Sequence, residues 1–328
     1  MNINNSNKEN VHALGQMVYD KLGKLINRDY IFLDLPYYTN IGDTLIWKGT
    51  EDFLEQCQGN CLYRASIETY IKPEISNEVI ILLQGGGNFG DIWRRHTEHV
   101  MKVLKDFPDN KVIILPQTVH YNSSEVLKSD ALQISKHKNL TICARDKNSF
   151  DILSQNFSIN DVLLLPDMAF CIHESFLQKH AVRSKGKTLF FKRKDVEQSN
   201  YDFDSYIRES EVDTREWPSM DSFLVATMVL TGLSILRKRL SKINLFKRLT
   251  DWYAIHIYMP YLLRIGVRFM SSYEKVYSTR LHGAILGILL NKEMVFFDNS
   301  YGKNSSFFTC WLEDFNKVTF VPKELKTK

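Results

Sequence analysis

The sequence lacks any apolar run long enough to cross a bilayer, which takes about 20 residues of helix. The nearest candidate, FLVATMVLTGLSIL at 223–236, is shorter and is followed by a cluster of cations, Arg237, Lys238, Arg239, Lys242, Lys247 and Arg248. The amino terminus, MNINNSNKENVHALG, is polar and does not show the basic and then apolar order of a signal peptide. We therefore expect a cytoplasmic protein without a transmembrane helix.

Cysteine is scarce, and motifs typical of metal sites are missing. The five cysteines are few and odd in number, which argues against a disulfide framework and favours a reducing compartment. Cys57 and Cys61 lie one helical turn apart, but no second Cys or His pair follows at zinc spacing. No DxD-like motif is present either. We therefore predict no metal and no cofactor.

A strong excess of one charge is also absent. The net charge of +4 gives no argument for a nucleic-acid partner. Apolar residues make up 44% of the chain and charged residues 24%, which is typical of a globular protein. We find no internal repeat. A length of 328 residues suits two domains of about 150 residues each.

Continuous apolar runs alternate with amphipathic stretches of helical period, such as 44–57 and 93–107. Parallel strands that are buried on both faces have this continuously apolar character, and helical crossovers connect them. The first half has five such runs, YIFLDLP (30–36), EVIILLQ (78–84), KVIILPQ (111–117), LTICARD (140–146) and DVLLLPD (161–167).

A polar, basic stretch at 176–187 predicts a linker, and a second set of runs follows it at 188–194, 275–279 and 293–299. We predict an α/β fold of two Rossmann-like domains, 1–180 and 181–328, whose parallel sheets face a central cleft. The second domain includes a basic and apolar helical region at about 220–270. Ligands of open α/β sheets bind beyond the carboxyl ends of the strands, so residues that follow strands are the candidates for a site.

Three polar turns follow predicted strands. Gln84 precedes the glycines 85–87 and Asn88, and glycines let backbone N–H groups approach an anion or a sugar; the alternative is a tight turn that needs no ligand. Asn40, Gly42 and Asp43 follow the first strand, where Asp43 is equally well explained as a helix N-cap.

The third turn, YSTRLHGAILG at 277–287, carries Arg280 and His282 at the start of an apolar helix. A helix N-terminus favours anions, an arginine adds a fixed cation, and histidine exchanges protons near neutral pH. The alternative is a surface arginine and a packed histidine.

Taken together, these segments resemble the polysaccharide pyruvyl transferase family, whose pattern combines an N-x-G-D turn, a GGG-N turn and an R-x-H-G segment. The counterparts here are residues 40–43, 85–88 and 280–283. The resemblance extends over roughly residues 30–315 and includes further matches in CARDKNSFDIL (Arg145, Ser149), LLPDMAF (Asp167), FFKRKD (Arg193) and FDNSYGKNSSF (Asp298, Asn299, Gly302, Lys303).

The resemblance implies a fold similar to that of the two-domain, GT-B-like glycosyltransferases. It implies transfer of the pyruvyl group of phosphoenolpyruvate onto two hydroxyls of a sugar in a cell-surface glycan precursor, with a cyclic ketal and phosphate as products. His282, Asp43 and Arg280 would be catalytic. The predicted substrate-binding residues are Asn40, Gly42, Gln84, Gly85, Gly86, Gly87, Asn88, Arg145, Asp167, Arg193, Asn299 and Lys303.

Two other functions remain open at this point: a nucleotide-sugar-dependent glycosyltransferase, and a non-catalytic scaffold of a polysaccharide assembly complex. The region at 196–270 departs from the resemblance, since it mixes apolar, aromatic and cationic residues. It fits either a packed helical subdomain or an element that contacts an anionic bilayer. A lipid-linked acceptor would place the enzyme peripherally at the inner face of the membrane.

Overall fold

The computed structural model describes residues 3–193, 203–207, 209, 211–221, 224–240 and 243–323. Lys194 and Lys242, which the sequence singled out, lie outside these residues. Within them, the chain forms two sheets in which all neighbouring strands run parallel. The predicted α/β fold with two parallel sheets is confirmed.

The first sheet has the strand order β2-β1-β3-β5-β6-β7, with β4 paired to β5. Its strands are β1 (Tyr30–Leu33), β2 (Cys61–Ala65), β3 (Ile80–Leu83), β4 (Gly86–Gly90), β5 (Val112–His120), β6 (Leu140–Ala144) and β7 (Asp161–Leu164). The helices of this half are α1 (Ile3–Val18), α2 (Ile41–Leu54), α3 (Arg94–Asp106), α4 (Ser124–Ile134), α5 (Lys147–Asn156) and α6 (Glu174–His180).

The second sheet has the strand order β12-β11-β10-β8-β9. Its strands are β8 (Lys187–Phe191), β9 (Val212–Arg215), β10 (Tyr273–Ser278), β11 (Glu293–Phe297) and β12 (Val318–Val321). The helices are α7 (Pro218–Asp221), α8 (Val225–Arg239), α9 (Asn244–Tyr253), α10 (Met259–Ser271), α11 (Leu281–Leu289) and α12 (Lys303–Trp311).

The continuous apolar runs are explained by burial on both faces of the first sheet. Successive side chains of a strand point to opposite faces, and in β1 Ile31 and Leu33 belong to one apolar cluster while Tyr30 and Phe32 belong to the other. All four side chains are buried. A strand in this position has no solvent-facing side, so it carries no polar alternation.

Helix α2 connects the two halves. Its Ile41 packs against α10 at Gly266, where a Cβ atom would lie only 2.6 Å from Ile41 Cγ2. The larger apolar cluster continues from the first sheet through α2 into α10 and α11. This packing brings the residues that follow strands of both sheets to one common cavity.

Two local predictions differ from the structure. The predicted linker at 176–187 begins inside a helix, since α6 ends at His180 and its Leu177 is buried in the apolar cluster. The glycine segment is not only a turn, because Gly86–Gly90 forms the short strand β4 beside β5. The domain boundary at 180 stays a prediction.

The basic and apolar region at about 220–270 is helical, as predicted, and consists of α8, α9 and α10. None of the helices in the described part of the chain is long and apolar enough to pass through a bilayer.

Candidate functional site

A cavity of about 330 Å³ lies beyond the strand ends of both sheets. Many of the predicted site residues meet on its wall: Asn40, Asp43, Gly87, Asn88, Arg145, Arg193, Arg280, His282 and Lys303. The remaining ones, Gly42, Gln84, Gly85, Gly86, Asp167 and Asn299, lie outside that lining. The geometry assigns most of these outer residues a supporting position.

The start of α2 places Asp43 on the cavity wall. Asn40, not Asp43, is the N-cap, because its Oδ1 accepts a hydrogen bond from the Gly42 backbone N–H at 3.0 Å. The other end of the Asn40 amide donates to Asp43 Oδ2 at 2.7 Å. The carboxylate of Asp43 is thereby held in the first turn of the helix with one oxygen fixed.

The centre of the site is a buried cluster of Arg145, Asp167 and His282. Arg145 Nη1 donates to Asp167 Oδ2 at 2.6 Å, and Arg145 Nε donates to Thr118 at 2.9 Å. His282 Nε2 lies 3.2 Å from Arg145 Nη1 and 3.4 Å from Asp167 Oδ2. A guanidinium only donates and a carboxylate only accepts. The cluster therefore offers His282 a partner in both its neutral and its protonated form.

The charges of this cluster are fixed by their mutual contacts. Burial by itself would raise the pKa of the Asp167 carboxyl, but Arg145 and then His282 outweigh burial and hold that pKa well below its usual range. Asp167 therefore remains a carboxylate behind the cavity wall. Arg145 Nη2 is buried and has no hydrogen-bond partner among the residues that the structure describes, which favours its use by a bound group.

Arg280 and Lys303 reach the cavity from the second sheet. Arg280 is the residue before α11, and its Nη2 donates to the buried carboxylate of Glu216 at 2.5 Å. Lys303 begins α12, where its backbone N–H donates to Asn299 Oδ1 at 2.8 Å. Arg193 follows β8, and its backbone N–H donates to Thr279 at 2.9 Å. Asn299 thus positions Lys303 without lining the cavity itself.

The lining is strongly cationic. Its charged side chains among the described residues are Arg145, Arg193, Arg280 and Lys303 against the single carboxylate Asp43. Asp167 and Glu216 stand behind two of the arginines and orient them. Planar guanidinium groups match carboxylate and phosphate oxygens, so the wall suits a small ligand with more than one negative charge.

The three glycines have different roles. A Cβ on Gly85 would lie 2.6 Å from the carbonyl oxygen of Pro116, and Gly86 has a φ of +148°. These two glycines are required by the path of the backbone. Only Gly87 lines the cavity, where a Cβ would lie 3.3 Å from both Arg145 Nη2 and Lys303 Nζ. Of the three, only Gly87 is placed where its backbone could approach a ligand in the cavity, and that approach stays a prediction.

Several lining residues were not found from the sequence: Tyr38, Trp93, His96, Trp217, Met220 and Leu281. His96 Nδ1 lies 3.0 Å from both oxygens of Asp34, which has a φ of 64°. Burial lowers the pKa of His96, but the hydrogen bond to Asp34 and the negative charges of Asp34 and Asp43 together outweigh burial, so the pKa lies above the usual value. The one available signal was Asp34, a charged residue inside the apolar run of β1.

One cluster of potential metal ligands occurs in the described residues, formed by Asp52, Glu55 and His173. None of the three lines the cavity. Asp52 already contacts Lys48 and accepts a hydrogen bond from the His173 backbone N–H. The cluster is therefore separate from the candidate site.

Comparison with solved structures supports the fold. A crystal structure of an uncharacterized protein from Klebsiella pneumoniae superimposes with a TM-score of 0.62 at 22% identity, covering 94% of this chain and 98% of that one. The match extends over both sheets, and the fold is that of a double Rossmann-like protein.

Comparison with characterised sequences points to one family. A protein of Bacillus subtilis named "Putative pyruvyl transferase EpsO" is 33% identical over 87% of this chain and 86% of its own length. General stress protein 30 of the same organism is 27% identical over 88% of this chain and 79% of its own length. Pyruvyl transferase 1 of Schizosaccharomyces pombe is 30% identical over 42% of this chain and 37% of its own length. The family model for polysaccharide pyruvyl transferase matches residues 40–301, and the chain belongs to the polysaccharide pyruvyl transferase family.

Proposed function

We propose that this protein transfers the pyruvyl group of phosphoenolpyruvate onto two hydroxyls of a sugar in a cell-surface glycan precursor. The products are a cyclic pyruvate ketal and phosphate. The observation that carries the proposal is the convergence of Arg145, Arg193, Arg280 and Lys303 with His282 on one small cavity.

The donor fits the cavity in charge and in size. Phosphoenolpyruvate presents a carboxylate and a phosphate, and each can be held by charge-assisted hydrogen bonds from arginine or lysine. The buried Nη2 of Arg145 has a hydrogen bond to give. A cavity of about 330 Å³ lies at the small end of the ligand-binding range, which favours this dianion over a nucleotide-sugar.

The reaction needs a proton at the methylene carbon of the donor and removal of protons from two hydroxyls. Protonation makes C2 electrophilic, the first hydroxyl oxygen bonds to C2, the C2–O bond to phosphate breaks, and the second hydroxyl closes the ring. We assign the acid to His282, because Asp167 stabilises its protonated form and Arg145 its neutral form. One positioned acid–base group contributes roughly 10²- to 10⁴-fold.

Asp43 is the residue we assign to the acceptor. Asn40 fixes one of its oxygens, so the carboxylate has a defined direction in which to accept a proton or hydrogen bond from a sugar hydroxyl. Trp93 lies at the rim and is about half exposed, and an aromatic face of this kind suits an apolar sugar face.

The test is incubation of the purified chain with phosphoenolpyruvate and a panel of glycosides, followed by phosphate release and product mass. We expect phosphate release that depends on both substrates, and a product that contains both the sugar and the pyruvyl group. Saturable binding of a nucleotide-sugar with no binding of phosphoenolpyruvate would instead support a glycosyltransferase. Absence of binding of either donor would support a scaffold.

A further inference from the structure

Helices α8 and α9 form a hairpin that presents apolar side chains to solvent. Met228, Val229 and Leu236 on α8 and Leu245, Leu249 and Trp252 on α9 are between 40% and 64% exposed. We call these six residues the hairpin face. The turn between the helices adds Leu240 and Ile243, which are exposed as well.

The hairpin face is separate from the side of α8 that packs on the protein. On α8, Leu230 and Arg237 are buried, while Met228, Val229 and Leu236 lie on its exposed side. An ordinary surface helix carries charged residues on that side. Helix α3 does so, since its exposed positions are Arg95, Glu98, Lys102 and Lys105. Helix α8 is therefore apolar on its buried side and on its exposed side, and we infer that a partner surface covers the exposed one.

The hairpin is also rich in cations. Between residues 224 and 257 the sequence has Arg237, Lys238, Arg239, Lys242, Lys247 and Arg248 but only one acidic residue, Asp251. Asp251 accepts a hydrogen bond from Thr69 at 2.6 Å, and burial raises its pKa to about 6. Lys238, Arg239 and Arg248 are exposed beside the hairpin face. Its charge is complementary to an anionic surface.

We propose that the hairpin face docks on the surface of an anionic phospholipid bilayer. An apolar stripe bordered by lysine and arginine is the arrangement of helices that lie in the membrane interface, and each cation adds to the attraction of anionic lipid. A second copy of this chain is the weaker candidate, because a symmetric contact places the same cations opposite each other.

The hairpin lies close to two residues of the cavity wall, Met220 and Tyr38. Met220 of α7 lines the cavity, and α8 begins five residues later at Val225. On the other side, Asp251 of α9 lies beside Tyr37, whose neighbour Tyr38 lines the cavity. If the acceptor is lipid-linked, which rests on the proposed function, docking of the hairpin face brings the sugar to the catalytic residues while the lipid stays in the bilayer.

The first experiment is flotation of the full chain with phosphatidylcholine vesicles, with and without about one third phosphatidylglycerol, at low and high salt. We expect flotation with the anionic vesicles at low salt and its loss at high salt. Equal binding to neutral vesicles, or no flotation at low salt, overturns the proposal. The assay uses neither donor nor acceptor, so its outcome is independent of the proposed reaction.

Matched variants distinguish membrane binding through the hairpin face from nonspecific adsorption through other exposed residues. Leu236→Gln with Leu249→Gln should weaken partitioning at least about tenfold, whereas Leu132→Gln with Ile159→Gln, at exposed apolar positions elsewhere, should not. Lys238→Gln with Arg239→Gln should weaken it about 10- to 30-fold, and Lys136→Gln with Lys138→Gln should not. Arg237 is left unchanged, because its guanidinium donates to the Glu68 carbonyl.

Trp252 gives a direct signal. Its fluorescence should shift to the blue when anionic vesicles are added, and Trp252→Phe should abolish that shift.

Sedimentation in the absence of lipid tests whether a second copy of this chain binds the hairpin face instead. If the wild type is a dimer and the Leu236→Gln, Leu249→Gln variant is a monomer, the hairpin face is an interface between copies and the membrane proposal is wrong.

Discussion

Gly42 and His282 approach so closely that a Cβ atom on Gly42 would lie 2.9 Å from Nδ1 of the imidazole. Gly42 belongs to the first turn of α2, which follows strand β1 of the first sheet. His282 belongs to α11, which follows strand β10 of the second sheet. The glycine thus allows His282, the proposed acid, to lie against the first turn of α2.

This contact predicts the effect of Gly42→Ala. Alanine favours a helix over glycine by up to about 1 kcal/mol, but its methyl group must displace the His282 ring. We expect a folded protein whose phosphate release falls at least tenfold, a loss of about 1.4 kcal/mol in transition-state binding. Gly232→Ala is the matched control, since among the described residues nothing beyond its chain neighbours and its own helix backbone lies within 4 Å of its Cβ position. Full activity in Gly42→Ala would show that the rate of phosphate release does not depend on the position of the His282 imidazole.

His282→Ala tests the acid–base assignment. We expect turnover to fall at least about 10²-fold, as for removal of a positioned acid–base group, while the melting temperature changes little. His137→Gln is the control, because His137 is also buried and its imidazole hydrogen-bonds the Phe107 carbonyl rather than a residue of the cavity wall. If His282→Ala turns over at the wild-type rate, the proton comes from another group. His96, which also lines the cavity, is then the next candidate.

Arg280→Lys tests the donor site. Lysine keeps the charge but loses the planar guanidinium, whose several N–H groups let one side chain contact both Glu216 and an anion. We expect kcat/KM for phosphoenolpyruvate to fall about 10- to 100-fold, the worth of one charge-assisted hydrogen bond. Arg215→Lys, at an exposed position nearby, should not change it. An unchanged kcat/KM in Arg280→Lys would remove Arg280 from the donor site.

Asp167→Asn predicts a change in stability and in its pH dependence. Removing one partner of a buried ion pair costs about 3–5 kcal/mol, because Arg145 stays charged. In the wild type the depressed pKa of Asp167 means that the unfolded state binds more protons, so stability is lost as pH falls below the usual carboxyl pKa. In Asp167→Asn that acid-dependent loss should be smaller. Denaturant unfolding at pH 7 and near pH 2.5, below the usual carboxyl pKa, measures both effects. A decrease in the free energy of unfolding between the two pH values as large as in the wild type would contradict the assignment.

The two sheets and the main strand ends could be predicted from the sequence. Strands buried on both faces leave a continuous apolar pattern, as in β1 and β3, and polar residues that follow such strands are visible as exceptions to it. This is why Arg145, Arg280 and His282 were found. The edge strands β2, β9 and β12 were missed because they are only partly buried and carry mixed residues.

The missed parts of the site depend on contacts between distant segments. Glu216 and Trp217 lie in a polar stretch without periodicity, and only the fold brings Glu216 to Arg280. The glycines 85–87 looked alike in sequence, whereas the structure assigns Gly85 to the carbonyl of Pro116 and Gly87 to the cavity. A pattern along the chain reports which residues are unusual, but not what each of them faces.

The contact of His282 with Arg145 joins positions 137 residues apart, and its contact with Asp167 spans 115. During synthesis the amino-terminal half emerges first and starts to fold as a unit, with the Arg145–Asp167 pair in place but no histidine beside it. His282, the proposed acid, is added only when β10 and α11 have left the ribosome. A truncated or nascent chain that ends before β8 therefore holds Arg145 and Asp167 but neither the other three lining cations nor His282.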